Sequence, residues 1–485
     1  MWLKAVVITD PMLAHQVLSR EAGLEKPHSR YKSPMDLLTS ASHRSSLVTH
    51  DTNSALWRLV RKGIAPAFAT NNIKKEFPRV VEIGQQLVRQ LHACGPEAVV
   101  DMDLAAQRES LDVLGLVGFG VQFGATRSLL GGDKPGSALR ALQNGMAEVQ
   151  RHMGAQWRRW QVMRVFPDVR RGREELQRYQ RVVEDLLAQL RARGPPVKDD
   201  TTIAAHLLRI VDPATGRGLP DELLAPEIGI LYLAGVETSA HTVAFVLYLV
   251  SQHPEVEAKI AAELDGLGLL ATARRPRPRL MAYEDLAQLR YLSCVIKEAM
   301  RLYPVVPMGT ARQAPDTGME LGGYAIPPGA MLWVFFSAMF RSPHVWDAPD
   351  EFRPERWADV DAEFYIPAGS LPASAARPNT PEPAAQQTPS KGPVPNPEGW
   401  SADGDAPASC RPKRFIPFSS GARDCVGRSL ATINYKVLLA LLLGNFRFRL
   451  AEEMGGVEGV EASICMRATL QFRDGLKMHC LPCAA

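Results

Sequence analysis

One stretch of the chain concentrates residue types that could bind a metal: Phe418-Ser-Ser-Gly421-Ala-Arg423-Asp-Cys425-Val-Gly427. A cysteine thiolate is a strong electron-donating ligand, provided that a positive or dipolar setting keeps its sulfur deprotonated. Backbone N–H groups aimed at the sulfur would tune that donation. Gly421 and Gly427 let the backbone turn tightly and approach a flat macrocycle. Arg423 could pair with a carboxylate on the macrocycle's edge, and Phe418 could pack on its face and shield the sulfur. A lone cysteine is more often a small buried hydrophobe ahead of a helix. Ten residues in this pattern outweigh that reading.

Three other groupings could work with it. Ala234-Gly235-Val236-Glu237-Thr238-Ser239 lies in the middle of the longest apolar stretch, residues 223–250. A charged group there needs a reason. A carboxyl beside a hydroxyl can relay protons through water. Against this, Thr238 could bond back to a helix carbonyl and Glu237 could reach a helix end. Glu298 and Arg301 share a helix face at i, i+3. Alone they describe an exposed pair worth roughly a few tenths of a kcal/mol. Trp57 and Arg61 share a face at i, i+4, and Arg suits bidentate contact with a carboxylate better than Lys does. A solvated basic helix face competes with that, above all for Arg58 and Lys62.

Together these residues resemble the cytochrome P450 family, and the cysteine loop carries the resemblance most specifically. The likeness runs from about residue 5 through essentially the whole chain. It implies a haem-thiolate monooxygenase of eukaryotic microsomal type with haem b as cofactor. It implies Cys425 as the proximal iron ligand, with Phe418, Gly421, Arg423 and Gly427 around it. Trp57, Arg61 and Arg312 then match positions that bind haem propionates. Glu298, Arg301 and Arg356 match a buried charge triad that supports the cysteine loop. Arg356 belongs to Phe352-Arg353-Pro354-Glu355-Arg356-Trp357, and Trp357 stands where Phe is commoner. Glu237 and Thr238 match an acid–alcohol pair that supplies protons for dioxygen cleavage.

The resemblance also implies partners. Electrons are expected from NADPH through an NADPH–cytochrome P450 reductase, whose acidic domain could dock on Arg58, Lys62, Lys413, Arg414 and Arg428. One atom of O2 would enter a C–H or C=C bond of a hydrophobic small molecule. Its pocket would include Ala234, Val305 and Val306, the loop near residues 30–50 and the turn at 464–468. One rival is an oxygen-independent haem-thiolate isomerase or dehydratase, against which the intact Glu237-Thr238 pair argues. Another is an inactive or sensing haem protein, against which Cys425 and the complete triad argue.

The elements that must position these residues follow from periodicity. The fold class is mainly α with a smaller β-rich part, the cytochrome P450 fold by resemblance. A strand over residues 5–9 and a short helix open the chain. Helical spacing then runs from about residue 52 to 192, with Val80, Ile83, Leu87 and Leu91 on one face. Further helices are expected at about 200–211, 221–253, 283–302 and 426–443. Short strands follow the 283–302 helix and return at about 461–480. Residues 1–485 read as one domain. Within it, 359–412 is rich in Pro, Ala, Ser and Gly and reads as a disordered insertion.

Bulk composition sets the remaining bounds. The chain is 46% apolar and 22% charged, enough for a large core, with a net charge of +4. No Lys/Arg block stands out, so no nucleic-acid role is expected. A mild positive excess suits an acidic protein or an anionic membrane surface. The seven cysteines are scattered and odd in number, which fits a reducing compartment. Cys480 and Cys483 form a lone CxxC, read as chance spacing. The apolar patch Ala5–Ile8 is far shorter than the ~20 residues that span a bilayer. Compared with the family, the chain begins at a first-sheet strand, without the usual anchor, hinge, first helix and first strand. It therefore reads as N-terminally truncated, which would leave a sheet edge open. A full-length form is expected on the cytoplasmic face of the endoplasmic reticulum membrane, with the plastid as the alternative.

Overall fold

A computed structural model describes residues 4–19, 23–27, 45–127, 137–155, 163, 165–359, 362–364 and 412–484. Most of the expected insertion, and residues 28–44 of the loop near 30–50, lie outside these.

The first part of the chain supplies β1 (Ala5–Ile8), α1 (Pro11–Leu18), α2 (Ala55–Ile64), α3 (Thr70–Cys94), β2 (Val99–Asp101), α4 (Met102–Val113), α5 (Ser137–Gly154) and α6 (Pro167–Ala192). After them come α7 (Ile203–Leu208), α8 (Asp221–Gln252), α9 (Pro254–Gly266), α10 (Asp285–Gln288) and α11 (Arg290–Leu302). Strands β3 (Thr310–Gln313), β4 (Met319–Leu321), β5 (Tyr324–Ile326) and β6 (Met331–Val334) then precede α12 (Phe336–Phe340). The chain closes with α13 (Arg428–Asn445), β7 (Phe446–Leu450), α14 (Gly456–Ser463), β8 (Ile464–Met466), β9 (Leu470–Phe472) and β10 (Lys477–Pro482).

The 52–192 run is helical but interrupted. Val99–Asp101 leaves it as a strand because β10 offers an antiparallel partner, Met478 opposite Val100. Asp101 then caps α4, accepting from the Leu104 amide at 3.2 Å. α4 ends in a π-helical turn over Leu114–Gly118. The expected 283–302 helix is two pieces, broken at Leu289, whose ψ of 66° is not helical. α14 stands just ahead of the terminal strands and was not expected.

Two three-stranded sheets form. One has the order β1-β6-β3, with β1 parallel to β6 and Ile8 beside Val334. The other has the order β2-β10-β7. α8 runs through the core: Val236, Ala240, Ala244, Val246 and Leu247 are 0% exposed. It is long and apolar enough to cross a membrane, yet most of its apolar length is buried against the protein. Non-polar packing on all sides explains why it shows little amphipathic pattern. α4 and α13 pack on α8 and bring the cysteine loop opposite Ala234–Ser239.

Candidate functional site

The loop before α13 is shaped by two backbone constraints. Gly421 has φ +76°, and a Cβ there would lie 1.7 Å from the Leu18 carbonyl oxygen, so only glycine fits. The Cys425 amide donates to the Phe418 carbonyl at 2.9 Å and closes the loop. Gly427 follows at the start of α13, and a Cβ there would meet only the Cys425 sulfur and the Phe68 ring, at 3.8 and 3.9 Å.

Cys425 opens into a cavity of about 340 Å³. Its side chain counts as exposed, but that exposure faces the cavity, deep inside the molecule. Burial pushes the thiol up, and the Gly427 amide, Arg428 and Arg61 oppose it without overcoming it. The protein alone therefore does not deprotonate Cys425, whereas a bound metal cation would.

The opposite wall is α8, with Ile230, Ala234 and Thr238 on one face at i, i+4 spacing. Val305, Val306 and Leu114 add apolar surface. A basic edge completes the lining. Trp57 Nε1 donates to the Leu47 carbonyl at 3.2 Å. Arg423 reaches the carbonyls of Leu47 and Val48 at 3.2 and 2.9 Å and stacks over Trp57, 4.5 Å from the ring centre. Arg61 donates to Asp424 at 2.6 Å.

The supporting charges lie behind the loop. Arg301 grips Glu298 with two bonds of 2.9 Å, and both are 0% exposed. Arg356 Nε and the Arg353 amide add bonds of 2.8 and 3.0 Å to the same carboxylate. Burial alone would raise the Glu298 carboxyl. Arg301, the Arg353 amide and Arg356 hold it below the usual range instead. Trp357 Nε1 donates to Glu298 at 2.8 Å, and its ring lies 4.6 Å from that of Phe415. A continuous path thus links the charges to the cysteine loop.

The chain matches the family model for cytochrome P450 over residues 1–375 and 396–466. The chain belongs to the cytochrome P450 family. It is 24% identical to Cytochrome P450 97B2, chloroplastic, of Glycine max, covering 97% of this chain and 78% of the relative. Cytochrome P450 3A6 of Oryctolagus cuniculus is 24% identical over 92% of this chain and 78% of its own length. A bifunctional cytochrome P450/NADPH–P450 reductase of Bacillus cereus is 26% identical, covering 67% of this chain and 29% of its own. The protein is an oxidoreductase of the monooxygenase class, and the family binds haem.

The residues of this P450 fit that group. A thiol faces the cavity, Gly427 leaves space beside it, and two half-buried arginines, Arg61 and Arg423, line one edge. Trp57, Arg61, Phe418, Arg423, Cys425, Gly427, Ala234, Thr238, Val305 and Val306 all line the one cavity. Gly421 shapes the loop from outside it. Arg312 is 3% exposed and donates to the Thr310 hydroxyl and the Ala311 carbonyl, both at 3.0 Å. Gly309 and Thr310 form the wall there, with Arg312 behind them.

Glu237 also sits behind the wall. Thr238 bonds back to the Ala234 carbonyl at 2.7 Å, whereas Glu237 turns toward Thr469 and His241. Cys480 is 2% exposed within β10, and among the described residues no three His, Cys, Asp or Glu side chains group as a metal site.

Sequence reasoning missed Glu227, one α8 turn before the cavity. Its carboxylate accepts from the Leu47 amide at 2.8 Å, latching the segment whose carbonyl holds Trp57 and Arg423. A second acid inside the apolar 223–250 stretch was the available signal. Leu114 was missed too, because nothing local announces a π-turn.

Proposed function

We propose that the chain works as one domain that holds haem b on Cys425 and oxygenates a hydrophobic small molecule with electrons from an NADPH-dependent P450 reductase. The observation that carries this reading is a cysteine thiol opening into a buried cavity whose far wall is apolar helix. Haem, when bound, supplies dioxygen activation and transfer of one oxygen atom.

The protein's own groups do the rest. Cys425 would supply the sulfur that holds haem, with the Gly427 amide directed at it to temper its charge. Trp57, Arg61 and Arg423 are suited to an anionic macrocycle edge. Phe418 and Phe68 pack around the thiol side and exclude water. Ala234, Val305 and Val306 give substrate an apolar wall, which accounts for preference by shape more than by hydrogen bonding. Thr238 presents a hydroxyl at that wall, and Glu237 behind it holds or yields a proton. Burial raises the Glu237 carboxyl, so it can carry that proton at higher pH than an ordinary acid.

The reductase reading is supported by relatives named as P450/NADPH–P450 reductase fusions. Lys413 and Arg428 border an open groove on the thiol side, a basic surface for an acidic partner. A relative named as chloroplastic supports the plastid as one location, and the endoplasmic reticulum membrane is the other.

The test is purified holoprotein with NADPH, P450 reductase, ¹⁸O2 and a panel of apolar substrates. One ¹⁸O atom per product molecule is expected. Reductase-driven turnover that yields product without ¹⁸O would overturn the oxygenase assignment for this chain.

A further inference from the structure

Behind the cavity wall, polar side chains from three elements meet in a buried region. Glu237 and His241 lie one turn apart on α8, on the face adjoining the cavity-lining Ala234, Thr238 and Thr242, and neither lines the cavity itself. Asp103 comes from the first turn of α4, and Thr469 from the turn between β8 and β9. All four are at most 6% exposed. Thr469 Oγ1 donates to Glu237 Oε2 at 3.4 Å. Nδ1 of His241 is 2.9 Å from Thr469 Oγ1. On the other side of the ring, Nε2 is 3.6 Å from Asp103 Oδ1. That Oδ1 is buried with no hydrogen-bond partner among the described residues.

The geometry dictates a direction. Once Glu237 has yielded its proton, the Thr469 hydroxyl gives its single proton to that carboxylate and so accepts from His241. The ring then carries its proton on Nδ1 and presents a lone pair at Nε2. The Gln107 amide bridges the two groups, 3.4 Å from that lone pair and donating to Asp103 Oδ2 at 3.0 Å, and an acid proton on the partnerless Asp103 Oδ1 beside it completes the line. We propose that Asp103, His241 and Thr469 form a proton relay that recharges Glu237 from the side remote from the cavity. This rests on the reading of Glu237 and Thr238 as the proton-handling pair.

The transfer balances. The Asp103 O–H bond breaks as His241 Nε2–H forms. The Nδ1–H bond breaks as a Thr469 O–H forms, and the original Thr469 proton passes to Glu237. One proton leaves Asp103 and one arrives at Glu237, with no oxidant or reductant involved. Tautomer exchange in the ring, together with a proton returned to Asp103, restores the starting arrangement.

The surroundings support these protonation states. Burial, then Asp101, raises Asp103 to about 8, opposed by Gln107 and Lys477. Burial lowers His241 to about 4, opposed by Glu237 and assisted by Arg467. Asp103 is therefore a neutral donor and His241 a neutral conductor at physiological pH. The other groups facing the chain are Tyr179, which feels Glu237 from α6, and Gln143, which donates to Gln107 at 2.7 Å. Lys477 and Asp101, joined at 3.0 Å at the surface end, are the charged groups whose field reaches Asp103 from that side.

The experiment uses the haem-loaded protein and infrared spectroscopy of the Glu237 carboxyl, assigned by its loss in Glu237→Gln. The rate at which that carboxyl exchanges its proton for deuterium is compared in wild type, Thr469→Val and Thr469→Ser. Valine keeps the shape and removes the hydroxyl, whereas serine keeps the hydroxyl. Slowing of about tenfold or more in Thr469→Val with near-wild-type exchange in Thr469→Ser is expected. Equal rates in all three, equal slowing in both variants, or a Glu237 that carries no proton from about pH 5 to about pH 9 would overturn the relay. The thiolate Soret band is recorded on the same samples. Its absence counts against the haem-thiolate reading and leaves the exchange comparison legible.

Discussion

Glu298 accepts from five N–H groups: two of Arg301, Arg356 Nε, the Arg353 amide and Trp357 Nε1. A carboxylate buried this completely is stable only because each oxygen is saturated by donors. Removing Arg301 leaves the buried anion with Arg356 as its remaining charge partner and two oxygens short of donors, so Arg301→Met should cost ~3–5 kcal/mol in chemical denaturation. Trp357→Phe keeps the ring against Phe415 but drops one charge-assisted bond, for an expected loss of ~1.5–3 kcal/mol. Equal stability of wild type and Trp357→Phe would show that the indole N–H adds nothing. The cysteine loop was legible in sequence because its pattern is contiguous, although the contact that demands glycine at 421 comes from the distant Leu18 carbonyl. Trp357 read as a mere replacement for Phe, since its bond to Glu298 spans 59 positions and no local pattern records it. Thr238 likewise showed its adjacency to Glu237 but not that the two side chains diverge on the helix.

Among the elements, α8 and α13 were readable from continuous apolar runs, and their observed limits fall within a few residues of those expected. Elements fixed by distant partners were not. β2 exists because β10 pairs with it, and Val99–Asp101 carries no alternation long enough to announce a strand. The π-turn ending α4 is equally silent, yet it sets part of the cavity wall. Leu114 there is 5% exposed, and a Cβ on Gly235 of α8 would come within 3.0 Å of its methyl groups. Leu114→Ala should therefore enlarge the cavity beside α8. Binding of bulkier apolar ligands, followed by their shift of the Soret band, is expected to tighten several-fold, with ~2–4 kcal/mol of stability lost. Unchanged ligand selectivity would mean that this wall does not touch substrate.

At the scale of the whole molecule, buried acids give stability an unusual pH dependence. Burial raises Glu109 and Glu227 from their ordinary 4.5 to about 8, and Asp103 from 3.8 to about 8. A carboxyl raised in the folded state stabilises it fully below the unfolded value, and that contribution is lost as pH rises through the folded value. Stability should thus fall between about pH 5 and about pH 8, the span of these shifts. Glu298, held low, acts oppositely and weakens the fold only under more acidic conditions. Glu109 is 0% exposed, and its Oε1 has no hydrogen-bond partner among the described residues. Glu109→Gln should flatten the decline, raising the urea midpoint at about pH 8 relative to wild type while changing it little at about pH 5. A parallel profile in wild type and variant would remove Glu109 from this account.

The central claim is that Cys425 ligates haem iron as a thiolate. Its direct test is the carbon monoxide difference spectrum of the reduced protein beside Cys425→Ser. A thiolate-type Soret band in wild type that disappears in the variant is the predicted result. Haem bound with the same spectrum in both proteins would contradict the assignment of Cys425 and the site built around it.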